Sequence, residues 1–477
     1  MRSFSTSGFL LGFLLLHIEV AKGDGPASDS HAGVQTHSIL GCMTTACHGS
    51  NVPGAEKWQR AGKIWLDQDP HSRAYSSLFS QTSAKIVSRL VKELEPSSQS
   101  YEELEPSSQS YRDVLNARCV SCHASENAPQ KDRVLGADCQ VCHGSADAWG
   151  SEHYSREFKE LGKSRFDNTR MLNVESMASR ARICSSCHIG ELNRSNDLNV
   201  GKDREVDHRL MAAGHPPMHF DFESYMRRYP VHWDTRDETT ELGSSVGVER
   251  WRIGKITVAI TKLNLLAARA ERSTDSSAKL NDWPELTEYS CTSCHHSLDQ
   301  SNWRQTRSAK SIANWDDWCI SQLDCSVREQ SRDELMSQLT TLKRSVEQLS
   351  PESRLVAMNA STLRRWLEIE LDHVSSDSEN TVDRILPKLM SRLEHVDEIR
   401  NWESATQWYI ATRVLSERIG VAGLNVPVPF VVEDPFLVSE KKREPMFSKD
   451  FDTPKPFHPD MLKNYSNNLM QQLRTRP

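Results

Sequence analysis

The chain has no excess of basic charge: 58 Lys and Arg stand against 65 Asp and Glu, a formal net charge of −7. That excludes a general nucleic-acid binder, which needs a basic face. Hydrophobic residues are scarce at 37%, yet 12 Trp and 13 Phe are more than a disordered chain carries. No apolar run reaches the ~20 residues of a membrane span. Twelve Cys in 477 residues are too few for a disulfide-built miniprotein and too clustered to be incidental core thiols. At roughly 100–200 residues per domain, the length predicts two to four domains.

The N-terminus sets the expected compartment. Arg2 supplies a positive start, Gly8 to Leu16 a short apolar core, and Ala21-Lys22-Gly23 a small-x-small cleavage site. Residues 1–23 therefore read as a secretory signal peptide. A membrane anchor is disfavoured because His17 and Glu19 break the run early. The expected mature protein is periplasmic or otherwise exported, has no transmembrane segment, and sits where disulfides are tolerated.

What the sequence does have is a repeated cysteine pattern. Cys119-Val-Ser-Cys122-His123, Cys139-Gln-Val-Cys142-His143, Cys184-Ser-Ser-Cys187-His188 and Cys291-Thr-Ser-Cys294-His295 each read C-x-x-C-H. This is the attachment signal for c-type haem. Two thiols must reach two vinyl groups on one porphyrin edge, and the next residue must bring an imidazole under the iron. Zinc would not require His after the second Cys four times over. A redox dithiol would occur once, near a βαβ pattern, and none is visible. A fifth segment, Cys42-Met-Thr-Thr-Ala-Cys47-His48, has a wider loop but the same following His. It is read as a fifth site, with a local disulfide as its alternative. The expected cofactor is five covalently attached haem c groups, with His48, His123, His143, His188 and His295 as proximal ligands. Cys319 and Cys325 have no following His. On one continuous helix they would lie roughly 9 Å apart along the axis, too far for a bond. A disulfide across a turn and two free thiols both remain open.

Five irons need sixth ligands. His71 follows Asp-Gln-Asp-Pro70 and opens an amphipathic run from Ala74 to Leu94; His153 lies ten residues beyond His143, past Trp149. His208 and His215 are seven apart, which puts them on one face if that segment is helical. These four are the distal candidates, and His232, His37 and His296 form a second group. His373, His395 and His458 lie outside the haem-bearing stretch and read as ordinary residues.

As a set, the run from Asp69 to Tyr75, the Cys139–Gly144 segment with Trp149 and His153, Ala212-Ala-Gly-His-Pro216 and the run from Tyr289 to His296 resemble the multihaem cytochrome c-554 family. The relatives of that family include hydroxylamine oxidoreductase-like cytochromes. The resemblance covers roughly residues 38–300. It implies closely stacked, mostly bis-His haems that pass electrons in the periplasm or perform redox chemistry on small nitrogen compounds, and it implies His71, His153, His208 and His215 as distal ligands. The chain departs from the pattern in its C-x4-C-H site, its five sites where the founding carrier has four, and its long C-terminal part. It has no C-x-x-C-K site of the pentahaem nitrite reductase kind, and no tyrosine is identified that would cross-link a catalytic haem. Both absences weigh against an enzyme.

The expected fold is mainly α. Residues 24–37 form a flexible lead, and 38–300 a haem-packed cytochrome domain with little regular sheet, in which porphyrin supplies much of the apolar core. Residues 301–420 form an α-helical bundle, and 421–477 a Pro-rich tail with a short terminal helix. Glu93–Tyr101 recurs as Glu103–Tyr111, read as a duplicated surface loop. Trp251 to Arg272 reads as a helix. Leu335, Leu339, Leu342, Val346 and Leu349 recur with helical spacing, and further helices are expected at Ser353–Val374, Glu379–His395 (kinked at Pro387) and Trp402–Ile419. The helical part is read as a covering layer, with an oligomer interface or a partner-docking face as alternatives.

The expected function is electron relay between redox donor and acceptor proteins, a quinol oxidase or other cytochromes among them. The alternative is an oxidoreductase acting on nitrite, nitric oxide or hydroxylamine at one five-coordinate haem.

Overall fold

The computed structural model describes residues 39–94, 107–125, 133–193, 203–235, 245–274, 283–295, 313–376, 401–418 and 459–474, with single positions between 385 and 399. The expectations for the signal peptide, the lead with His37, His296, most of the first copy and the start of the second copy of the duplicated loop, most of the Glu379–His395 helix with His395, and the Pro-rich stretch with His458 lie outside the described residues. The described end of the second copy is not a surface loop: it opens the Gln109–Val114 helix, where Tyr111 is fully buried. Residues Thr36–Pro477 make one compact unit. The chain is mainly helical, and among the described residues β-pairing is confined to two isolated antiparallel bridges, Glu191–Arg204 and Tyr289–Trp315.

One helix organises the rest. Val246–Arg272 runs for 27 residues and is buried along almost its whole length. Between Ile253 and Ala268 its sequence is largely apolar on all sides, with Lys255 and Lys262 as the charged exceptions, and a helix apolar all round belongs in the centre of a fold. It packs against Met177–His188, Phe222–Met226, Ser353–Ser375 and Trp402–Arg418. Close approach to Phe222 depends on Gly254: a Cβ there would lie 2.6 Å from the Phe222 Cβ. The C-terminal helices thus share a core with a segment that precedes the last C-x-x-C-H motif.

That core follows the sequence period. Ile256, Leu263 and Leu266 meet Val356, Leu363 and Leu367, and Leu335, Leu342 and Val346 from the Arg332–Val346 helix close over them. Leu349, expected on the same stripe, is 79% exposed because the helix stops at Val346 before the stripe can continue.

Two of the buried cations on the central helix share a carboxylate. Glu288 bridges Lys262 at 3.0 Å and also meets Arg269, whose Nε donates to Glu205 at 2.8 Å. Burial opposes ionisation of Glu288, yet the two cations outweigh it and hold its carboxyl below the ordinary range. Lys255 lacks such a carboxylate. It donates to the Trp318 carbonyl and to Gln407 Oε1, both at 2.8 Å, and burial pulls it down to about 8.

Trp318 joins the two halves. It is fully buried, stacks on Trp402 at 5.7 Å and donates its indole N–H to the Phe220 carbonyl at 2.9 Å. Trp318→Ala should cost about 3–5 kcal/mol. Urea unfolding should then show a lower midpoint with an unchanged slope; an unchanged midpoint would mean that the site collapses without loss.

Candidate functional site

The C-x-x-C-H segments adopt short helical turns with defined starts. Asp138 caps Cys139–His143 by accepting from the Gln140 amide at 2.8 Å. Gly144 ends that turn at φ 83°, and a Cβ there would lie 2.5 Å from the Arg170 carbonyl oxygen. Cys184–His188 is the last turn of the Met177–His188 helix, capped by Ser176. Cys119 closes a π turn that passes into Val120–His123, and Cys291–Ser293 is a 3-10 turn.

The wide Cys42–Cys47 loop reaches a similar closure. The His48 amide donates to the Cys42 carbonyl at 3.1 Å, as the His295 amide donates to the Cys291 carbonyl at 2.8 Å. The two extra residues are taken up by a turn in which Cys47 and Gly49 both donate to the Thr44 carbonyl. The first Cys and the His are therefore brought together despite the longer spacing.

The motif histidines meet other histidines in twos. Ring centroids lie 6.2 Å apart for His48 and His153, 6.0 Å for His71 and His188, 6.3 Å for His143 and His232, and 6.3 Å for His208 and His295. His123 and His215 line one open cavity together with Cys119 and Cys122. Its other walls include Leu78, Ile86, Val87 and Leu210, and Arg118, held by Asp207 at 2.6 Å, stands at its edge. Among the described residues no group of three or more His, Cys, Asp or Glu is placed to hold a bare metal ion.

The spacing fits a metal held between two imidazoles. Two bonds of about 2.0 Å, plus roughly 1.1 Å from each nitrogen to its ring centre, put the centroids about 6.2 Å apart. The residues present thus fit haem: two thiols beside each motif His, a second His across from it, and apolar walls where a cavity is outlined.

Hydrogen bonds set the ring nitrogens. Nδ1 donates to a backbone carbonyl in His48 (Trp58, 2.9 Å), His123 (Ala74, 3.0 Å), His153 (Gly150, 2.8 Å) and His215 (Pro216, 2.8 Å). A carbonyl can only accept, so Nδ1 carries the proton and Nε2 keeps its lone pair for a metal. Burial reinforces this, taking His143 and His215 down to about 4 and His188 to about 3, so each stays neutral near pH 7. Desolvation also keeps most cysteines as thiols: Cys139 and Cys184 are pushed up to about 12, Cys119 and Cys291 to about 11.

The sites adjoin one another. His143 interacts with His48 and His153, and Tyr229 lies 6.1 Å from His232 and 6.3 Å from His71. His188 interacts with His123, and the His208–Ala213 helix connects the His123/His215 site to the His208/His295 site. The thiols repeat the pattern: Cys122 meets Cys187, and Cys142 lies by Cys184. The 119 and 139 sites both border the 184 site.

His208 and His215 do not share a helical face. The helix from His208 ends at Ala213, and Gly214 at φ 118° turns the chain, so the two face different partners. His219, which the sequence reading did not weigh, packs between Trp318 and Trp402. His373 is exposed. Asp69 is the polar residue that sequence reasoning passed over: it accepts from both the backbone amide and the Nδ1 of His71. The available signal was its place two residues before a candidate ligand, after which Pro70 starts the turn.

Cys319 and Cys325 are buried and not joined to another cysteine. The native protein should leave both unreactive to alkylating reagents, and after denaturation two thiols per chain should react. More than two would place one of the Cys–Cys–His segments outside thioether chemistry.

Comparison with protein-family models, with curated proteins and with solved structures finds no match to this chain.

Proposed function

We propose that this chain is an exported electron carrier that holds five haem c groups, each between two histidines. The observation that carries the reading is that four of the five motif histidines have a second histidine ring across from them, His48 with His153, His143 with His232, His188 with His71 and His295 with His208, and that the fifth, His123, shares a cavity with His215. Cys42/Cys47, Cys119/Cys122, Cys139/Cys142, Cys184/Cys187 and Cys291/Cys294 would supply the thioether bonds. Haem c bound there supplies one-electron chemistry between ferric and ferrous iron.

The protein's part is to hold, orient and dry the sites. Nδ1–H bonds to carbonyls fix ring planes, so little reorganisation accompanies a change of charge. Trp149 and Phe220, both buried, stand against His153 and His188, and Trp58 and Trp233 pack against His48 and His232. Adjacency of the sites gives electrons short steps along the series, from a donor at one end to an acceptor at the other. Cys47 and Cys294, in the sites at the two ends of the series, are exposed, which suits contact with redox proteins. No helix among the described residues is long and apolar enough to cross a membrane. Chemistry on a small nitrogen compound would require an iron with one histidine ligand, and the supply of paired histidines leaves that alternative without a favoured site.

Intact-mass measurement of the exported protein tests the assignment. The expected mass is that of the chain plus five haems. A mass with four haems removes the Cys42/Cys47 site, and a chain without haem overturns the proposal.

A further inference from the structure

The histidines whose Nδ1 bonds are set by the chain fall into two kinds. His48, His123, His153 and His215 donate to neutral carbonyls. His71 donates to the Asp69 carboxylate at 2.7 Å. Asp69 is 1% exposed and is fixed by a second bond, from the His71 amide at 3.0 Å. The Tyr229 hydroxyl is beside it, and the Tyr229 ring lies against both His71 and His232. The carboxylate's charge is felt at His232, Cys142 and Cys184. It therefore stands between the His71/His188 and His143/His232 sites, in the interior of the series.

We propose that Asp69 is a positioning residue that sets the potential of the His71/His188 centre, making it the hardest of the five to reduce. A hydrogen bond to an ionised acceptor is stronger than one to a carbonyl and shifts electron density onto the ring. A more basic His71 favours ferric over ferrous iron, and a buried negative charge acts in the same direction. Arg204 and Arg180, near Cys187 and Cys184, act in the opposite direction. Both remain in an Asp69 variant, so the variant isolates the carboxylate. The consequence for the relay is a barrier at its middle, which separates electrons held towards His48/His153 from those held towards His208/His295.

The inference rests on the haem reading above, and its test separates the two. Asp69→Asn keeps an acceptor for His71 and removes the charge. Haem content is measured first, then the five reduction steps are followed by optical redox titration. The expected result is five haems, with the lowest-potential step raised by at least tenfold in its equilibrium constant, about 59 mV for one electron. A smaller rise is expected in one neighbouring step, and none in the other three. Five haems with no step moved, or all steps moved equally, overturn the role of Asp69 and leave the haem reading standing; absence of haem from the parent protein overturns the haem reading. Should Asp69→Asn fail to mature, Tyr229→Phe carries the test. Loss of its hydroxyl leaves the carboxylate to His71 alone, and the same step should move lower. A step that stays in place overturns the proposal.

Discussion

A His232→Ala variant should keep the proposed haems and gain one high-spin haem that the parent protein should lack. His232 is the partner of His143, with ring centroids 6.3 Å apart, and it is backed by Trp233 and Tyr229. Separating thioether attachment from axial ligation is what makes the variant informative. Cys139, Cys142 and His143 would still anchor the group, while the opposite face of the iron would be left to water or an added ligand. The measurement is carbon monoxide binding to the reduced protein. About one equivalent per chain is expected for the variant and none for the parent. Binding by the parent would mean that an open iron already exists, and the enzyme reading would return. His71→Ala should behave similarly, with the added loss of the bond to Asp69.

The second large effect concerns the fold. Glu288→Ala would leave Lys262 and Arg269 buried without their shared carboxylate. Breaking a buried ion pair from one side costs about 3–5 kcal/mol, a large share of the ~5–15 kcal/mol that holds a protein folded. Lower yield and a strongly reduced urea midpoint are expected, whereas loss of a surface pair such as Arg156–Glu160 should change little. The pH dependence has a definite sign. The Glu288 carboxyl is held below its ordinary range, so its contribution is complete above that range and is lost as the pH falls through the folded-state value. Acid unfolding should therefore begin at higher pH in a variant that weakens Lys262 or Arg269 than in the parent. A parent and variants with the same acid midpoint would show that the network adds nothing to stability.

The residues of the candidate site were legible in the sequence where they are contiguous. Cys-x-x-Cys-His names two thiols and an imidazole within five residues, and the structure folds each such segment as a turn. Helices were legible where the apolar period was long, as in Ser353–Ser375 and Arg332–Val346. The pairing of histidines was not legible, because it joins residues as far apart as His71 and His188 or His48 and His153. The shared face assigned to His208 and His215 failed at Gly214, where a left-handed residue ends the helix one position before His215. His232 drew little weight because one His before a Trp has no spacing signal; only the approach of Tyr229 and His143 in space distinguishes it. The buried cations of the central helix, Lys255 and Lys262, were equally hidden, since their partners Gln407 and Glu288 lie outside that helix.

The most direct test of the account is the electron paramagnetic resonance spectrum of the oxidised parent protein, with haem quantified in the same sample. Five haems per chain, all low-spin, is the predicted result, because four motif histidines face a second histidine and His123 shares its cavity with His215. One high-spin haem in five would contradict it: the relay would then contain an open iron, and the search would turn to nitrite, nitric oxide and hydroxylamine as ligands for that site.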